Sequence, residues 1–211
     1  RSSYLWTPSG QTTQQIFNLT AGSYTVTVTD ATGCEVSGSV TINEPLLLTA
    51  SASSTDALCF KANDGTATVI ASGGTPGYNY LWNDGQTTVT ATGLIAGTYN
   101  VIVTDALGCT VTDSVSVNEP PLLTVTITST DALCNQSVDF GIKTGSAKAT
   151  ASGGTPGYSY LWDDTLAQTT DSITGLPPGT YIVTVTDTNG CTAVDTAIIN
   201  QPDSITLTTS T

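Results

Sequence analysis

Leu94-Ile95-Ala96-Gly97-Thr98-Tyr99-Asn100-Val101-Ile102-Val103-Thr104-Asp105 is the stretch on which the fold turns. From Tyr99 onward, Val101 and Val103 fall on one face and Asn100, Ile102 and Thr104 on the other. A period of two predicts a half-buried strand. The same wording recurs at Leu19-x-x-Gly22-x-Tyr24 and Leu176-x-x-Gly179-x-Tyr181, each followed by an alternating Thr/Val run, an Asp and a Gly-Cys pair. Recurrence at a fixed spacing is the mark of a tandem array.

Matched residues give the period. Cys34 to Cys109 is 75 positions and Cys109 to Cys191 is 82. Glu44-Pro45 and Glu119-Pro120 recur as linkers, and Gln201-Pro202 stands in the third place. A unit of this size is a small domain. The expected organisation is the C-terminal part of a first repeat at 1–45, a second at 46–120, a third at 121–202, and the first strand of a following repeat at 203–211. Residue 1 is Arg and Met is absent, so the chain is expected to be an excerpt of a longer protein.

Outward from the quoted strand, turn signals divide the second unit. Leu48, Ala50 and Ala52 mark a first strand; Ala67, Val69 and Ala71 mark a second after Asp64-Gly65. Gly73-Gly74-Thr75-Pro76-Gly77-Tyr78 is a turn, repeated word for word at 153–158. There Pro sets φ and Gly supplies positive φ. Tyr78, Tyr80 and Trp82 share one face of a third strand, and a weaker strand is expected at 87–92. Cys109, Val111, Val115 and Val117 mark the last. No segment holds a 3.6-residue period, so essentially no helix is expected. Six or seven short strands around one Trp predict an all-β, immunoglobulin-like Greek-key sandwich. The Leu-x-x-Gly-x-Tyr element resembles a tyrosine corner, in which a Tyr hydroxyl ties back to the backbone before its strand. Tandem sandwiches of this kind are expected to stack into an elongated rod.

Charge is sparse and one-sided. Lys and Arg number 4 against 17 Asp and Glu, for a net charge of −13. That balance excludes a nucleic-acid surface, which needs cations on phosphates. No apolar run approaches the roughly 20 residues of a membrane span. There is no His, which removes His-based triads and His metal sites, and no catalytic constellation recurs. Trp6, Trp82 and Trp162 recur at one place and are expected in cores, as are the Tyr pairs beside them.

The combination Gly73-Gly-Thr-Pro-Gly-Tyr-Asn-Tyr-Leu-Trp82-Asn-Asp-Gly, Leu94-x-x-Gly97-Thr-Tyr99, Asp105-x-x-Gly108-Cys109 and Glu119-Pro120 resembles the SprB repeat, and 153–202 and 4–45 follow the same pattern. The resemblance implies a non-enzymatic segment of a secreted, Bacteroidetes-type cell-surface adhesin, with type IX secretion and gliding motility as the associated biology. The partners it implies are neighbouring repeats of the same chain, with surface polysaccharide or other copies of the filament as further candidates. A polysaccharide-binding module and a passive spacer beside an enzyme elsewhere are the alternatives.

Five cysteines occupy two repeating positions: Cys34, Cys109 and Cys191 after the last turn, Cys59 and Cys134 after Asp-Ala-Leu. In an exported protein such recurrence favours disulfides. Three pairings are open: within a unit (Cys59 with Cys109, Cys134 with Cys191), across the Glu-Pro linker (Cys34 with Cys59, Cys109 with Cys134), or between units (Cys59 with Cys191). Bridged Cα atoms must lie within about 7 Å. The two positions sit at opposite ends of a sandwich, and the end of one unit faces the start of the next. The inter-unit bridge is therefore preferred, leaving Cys34, Cys109 and Cys134 to pair with repeats outside this chain.

Acidic residues recur as well. Asp105, Asp187, Glu119, Asp56 and Asp131 are candidate calcium ligands if they converge at a junction, since Ca²⁺ takes 6–8 oxygens. Alternatively each Asp caps its own turn. No other cofactor is indicated.

Overall fold

The computed structural model describes residues 1–133 and 144–203. Cys134, residues 135–143 and most of the expected strand at 203–211 lie outside the described residues. No helix occurs among those described.

Two compact units are present. One comprises 1–49, 71–79 and 103–111; the other comprises 50–70, 80–102 and 112–211. In the first, β1 (Ser3–Thr7), β2 (Gly22–Thr29) and β3 (Glu35–Ile42) form an antiparallel sheet in that order. Tyr4 lies opposite Val28, and Val26 opposite Gly38.

The second repeat supplies β4 (Thr49–Thr55), β5 (Gly65–Ser72), β6 (Asn79–Trp82), β7 (Thr90–Leu94), β8 (Gly97–Thr104) and β9 (Thr110–Val117). Its sheets are β4-β5-β7 and β6-β8-β9. Strands one, two and four thus share one sheet, and strands three, five and six share the other. This is the immunoglobulin order with the fourth strand of the constant-type sheet left out. The third repeat repeats it with β10 (Thr124–Thr130), β11 (Gly145–Ser152), β12 (Ser159–Trp162), β13 (Ser172–Leu176), β14 (Gly179–Thr186) and β15 (Thr192–Ile199), ordered β10-β11-β13 and β12-β14-β15. The all-β, immunoglobulin-like expectation is borne out.

Alternation does what period two requires. Val101, Val103, Val183 and Val185 are fully buried, and the residues between them are not. In the third repeat they pack with Trp162, Ile173, Leu176, Ala147, Ala149 and Ile199 into one core. Trp82 and Trp162 are 1 % exposed, and their indole N–H groups donate to the carbonyls of Thr88 (2.9 Å) and Thr170 (3.0 Å). A buried indole needs such a partner. The core reading of these two residues holds; Trp6, in the first repeat, is half-buried and donates to Thr13 O.

The corner is also present. Tyr24, Tyr99 and Tyr181 donate their hydroxyls to the carbonyls of Thr20 (3.0 Å), Ile95 (3.0 Å) and Pro177 (2.8 Å), each four residues back. The expected strand at 87–92 begins later, at Thr90. Residues 86–89 are drawn aside because Thr88 O accepts the Trp82 indole and the Gln86 side chain bonds both N–H and C=O of Thr92.

Candidate functional site: the ends of the repeats

The second and third repeats each begin with three segments knitted together: the linker, the Gly-Gly-Thr-Pro-Gly turn and the last hairpin turn. In the third repeat, Gly154 N–H donates to Pro121 O at 2.8 Å. Gly153 has φ +76°, and a Cβ there would stand 2.0 Å from Leu122 O. The second repeat reproduces both features. Gly74 N–H donates to Leu46 O at 2.6 Å, and a Cβ on Gly73 would stand 1.9 Å from Leu47 O. Glycine is thus required twice over, by φ and by the close passage of the linker. The Tyr78 and Tyr158 hydroxyls close their turns onto Gly73 O and Gly153 O, both at 2.6 Å.

Asp187 is the pin of this assembly. It is buried, with one carboxylate oxygen accepting from Asn189 N and Cys191 N (2.9 Å each) and the other from Thr155 N (2.8 Å). Asp105 does the same with Leu107 N, Cys109 N and Thr75 N. The bond from Thr155, or from Thr75, is the largest influence on each carboxyl and lowers its pKa; burial opposes it. Hydrogen bonds to the ionised form stabilise it.

The opposite end of the second and third repeats carries the Asp-Ala-Leu-Cys loop. Asp56 Oδ1 accepts from Asn118 N (2.8 Å), and Ala57 N–H donates to Asn118 O (2.9 Å). Leu58 N–H is held by Asp64 (3.0 Å) and Lys61 N–H by Glu119. In the third repeat Asp131 holds Asn200 N, and Ala132 N–H donates to Asn200 O. The loop is thereby fixed to the end of the last strand.

These two ends meet in the second compact unit. Cys59 and Cys191 form a disulfide with Cα atoms 5.7 Å apart. Beside it, Asn189 Nδ2 donates to Leu58 O at 2.9 Å. The bridge closes a loop of 132 positions, which in a chain-entropy treatment removes on the order of 5 kcal/mol from the unfolded state. Cys34 and Cys109 are exposed and unbridged among the described residues.

The acidic candidates do not gather into one group. Among the described residues no three Asp, Glu or Cys side chains come together as a cation site. Asp105 and Asp187 hold turns, Asp56 and Asp131 clamp loops, and Glu119 holds Lys61 N–H. The turn-capping alternative describes the two turn aspartates, because backbone N–H groups take the oxygens a cation would need. Two features escaped the sequence. The linker's passage over the glycine pair has no local signal, and Asn189 reads as an ordinary turn residue.

The arrangement defines an array of immunoglobulin-like sandwiches with one covalent bond between neighbours. The family model of the SprB repeat matches residues 51–87 and 126–166, which run from β4 past Trp82 and from β10 past Trp162. SprB repeats are found in cell-surface proteins. No curated protein matches the sequence. Among solved structures, the N-terminal four Ig domains of Dscam1 isoform 9.44 match at 13 % identity and TM-score 0.33, over 95 % of this chain and 64 % of that one. The amphioxus IgVJ-C2 molecule matches at 16 % and 0.29, over 61 % and 91 %. A C-terminal intimin fragment, in complex with its receptor's intimin-binding domain, matches at 17 % and 0.32, over 84 % and 57 %. No helix among the described residues is long and apolar enough to cross a membrane.

Proposed function

We propose that this chain is a non-enzymatic structural segment of a secreted bacterial surface adhesin or filament, in which tandem sandwiches form an extended stalk serving adhesion and, in a gliding cell, motility. The Cys59–Cys191 bridge is the observation that carries this reading. It joins a loop of one repeat to the last turn of the next, so successive domains are joined by more than the Pro-containing linker. Disulfides of this kind persist in oxidising, extracellular surroundings. Nearest-neighbour contacts of this type stabilise an array in a one-dimensional fashion.

The aromatic residues at the best-formed turns are already engaged: Trp82 and Trp162 are buried, and the Tyr78 and Tyr158 hydroxyls are bonded internally. That favours a structural role over sugar stacking. Electron microscopy of the exported full-length protein tests the proposal. A thin filament, shortened by deletion of one repeat, is the expected image; a compact particle overturns it.

A further inference from the structure

The partner surface of Cys191 has a counterpart at Cys109 that no residue of this chain's own loops covers among those described. Asp105, Leu107 and Cys109 stand where Asp187, Asn189 and Cys191 stand one repeat later. Next to Cys109 is a cavity of about 280 Å³ lined by Leu46, Leu47, Leu48, Gly74 and Asp105, among others. Leu46 and Leu47 are 81 % and 85 % exposed, and Leu107 is 70 % exposed. Leu46 and Leu47 form an apolar rim over a floor in which Leu48 and Asp105 are buried and Gly74 N–H donates to Leu46 O.

We propose that this groove is the acceptor for an Asp-Ala-Leu-Cys loop of another repeat, whose cysteine bridges Cys109. The occupant follows from the neighbouring junction, where residues 58–59 of that loop sit against the equivalent turn, with Leu58 O bonded by Asn189 and Cys59 bridged to Cys191. Leu107 replaces the Asn189 donor, so this acceptor selects by apolar contact with the loop's exposed Leu, its Ala being buried within its own repeat. Oxidation of the two thiols releases two electrons and two protons to a disulfide donor of the thiol-oxidoreductase class, which is reduced to its dithiol. The inference rests on the stapled-stalk reading above and adds to it a recognition surface.

A peptide with the sequence of residues 54–60, Ser-Thr-Asp-Ala-Leu-Cys-Phe, activated at its Cys as a pyridyl disulfide, tests it on the 211-residue chain. The Cys109 thiolate attacks the peptide sulfur, forming the mixed disulfide and releasing pyridine-2-thiol. Cys34, exposed on a first-repeat turn with no Leu-Leu pair among residues 1–33, is the internal comparison. Capture at Cys109 is expected to be at least tenfold faster than at Cys34, and at least tenfold faster than capture of a scrambled peptide. Leu47→Asp, at an exposed position, should abolish the preference while leaving reaction with a small neutral disulfide unchanged. Equal rates for native and scrambled peptides overturn the groove, as does isolation of Cys109 already joined to Cys34. Mapping the Cys59–Cys191 bridge in the same sample separates the two proposals: its absence defeats the stapled stalk, while its presence with sequence-indifferent capture defeats only the groove.

Discussion

At the scale of single residues, glycine and aspartate carry most of the specificity of the repeat ends. Gly153 and Gly190 both have positive φ (+76° and +85°), but only Gly153 has backbone in the space a Cβ would fill. Left-handed geometry alone costs an L-residue about 1–2 kcal/mol. Gly190→Ala should lose about that much in a urea titration, and Gly153→Ala at least twice as much, because the linker carbonyl of Leu122 must move. Asp187 gives a pH signature. Its folded pKa lies below 3.8, chiefly through the Thr155 N–H. Its stabilisation is complete above 3.8 and is lost as pH falls through the lowered folded value. The urea midpoint should therefore drop in that acidic window, and the drop should be smaller in Asp187→Asn. The glycines' need for positive φ was legible in the Gly-Gly-Thr-Pro-Gly wording. Their second duty was not, because the linker arrives from about 30 positions upstream.

At the scale of elements, strand positions were legible wherever side chains alternate between core and solvent. Tyr99–Thr104 and Tyr181–Thr186 needed no more than their period. The corner preceding each was legible too, because Leu-x-x-Gly-x-Tyr sets a local hydrogen bond within four residues. Tyr181→Phe should cost about 0.5–1.5 kcal/mol, the net worth of one such bond, with the circular dichroism spectrum unchanged. The strand after the Trp was misplaced by a few residues, since the Trp82 indole and the Gln86 amide bind backbone around it. Those are side-chain bonds to backbone, and no periodicity reports them. The acidic candidates show the same limit. Recurrence marked Asp56, Asp105 and Asp187, but only geometry shows that backbone N–H groups hold their oxygens.

At the scale of the whole molecule, the Cys59–Cys191 bond alters the route a tensile force takes through the polypeptide. Pulled from its two ends, the backbone delivers tension to Cys59, and the shortest covalent path then leaps to Cys191. The bridge spans 132 positions, and an extended chain covers about 3.3–3.6 Å per residue. Roughly 45 nm of contour is therefore hidden while the bond is intact, whatever becomes of the sandwiches inside the loop. Single-molecule pulling should show that length only after a reductant is added, and Cys59→Ser should release it without one. Strands β5 to β14, all of them enclosed by the bridge, are thus relieved of the load that the residues outside it must bear.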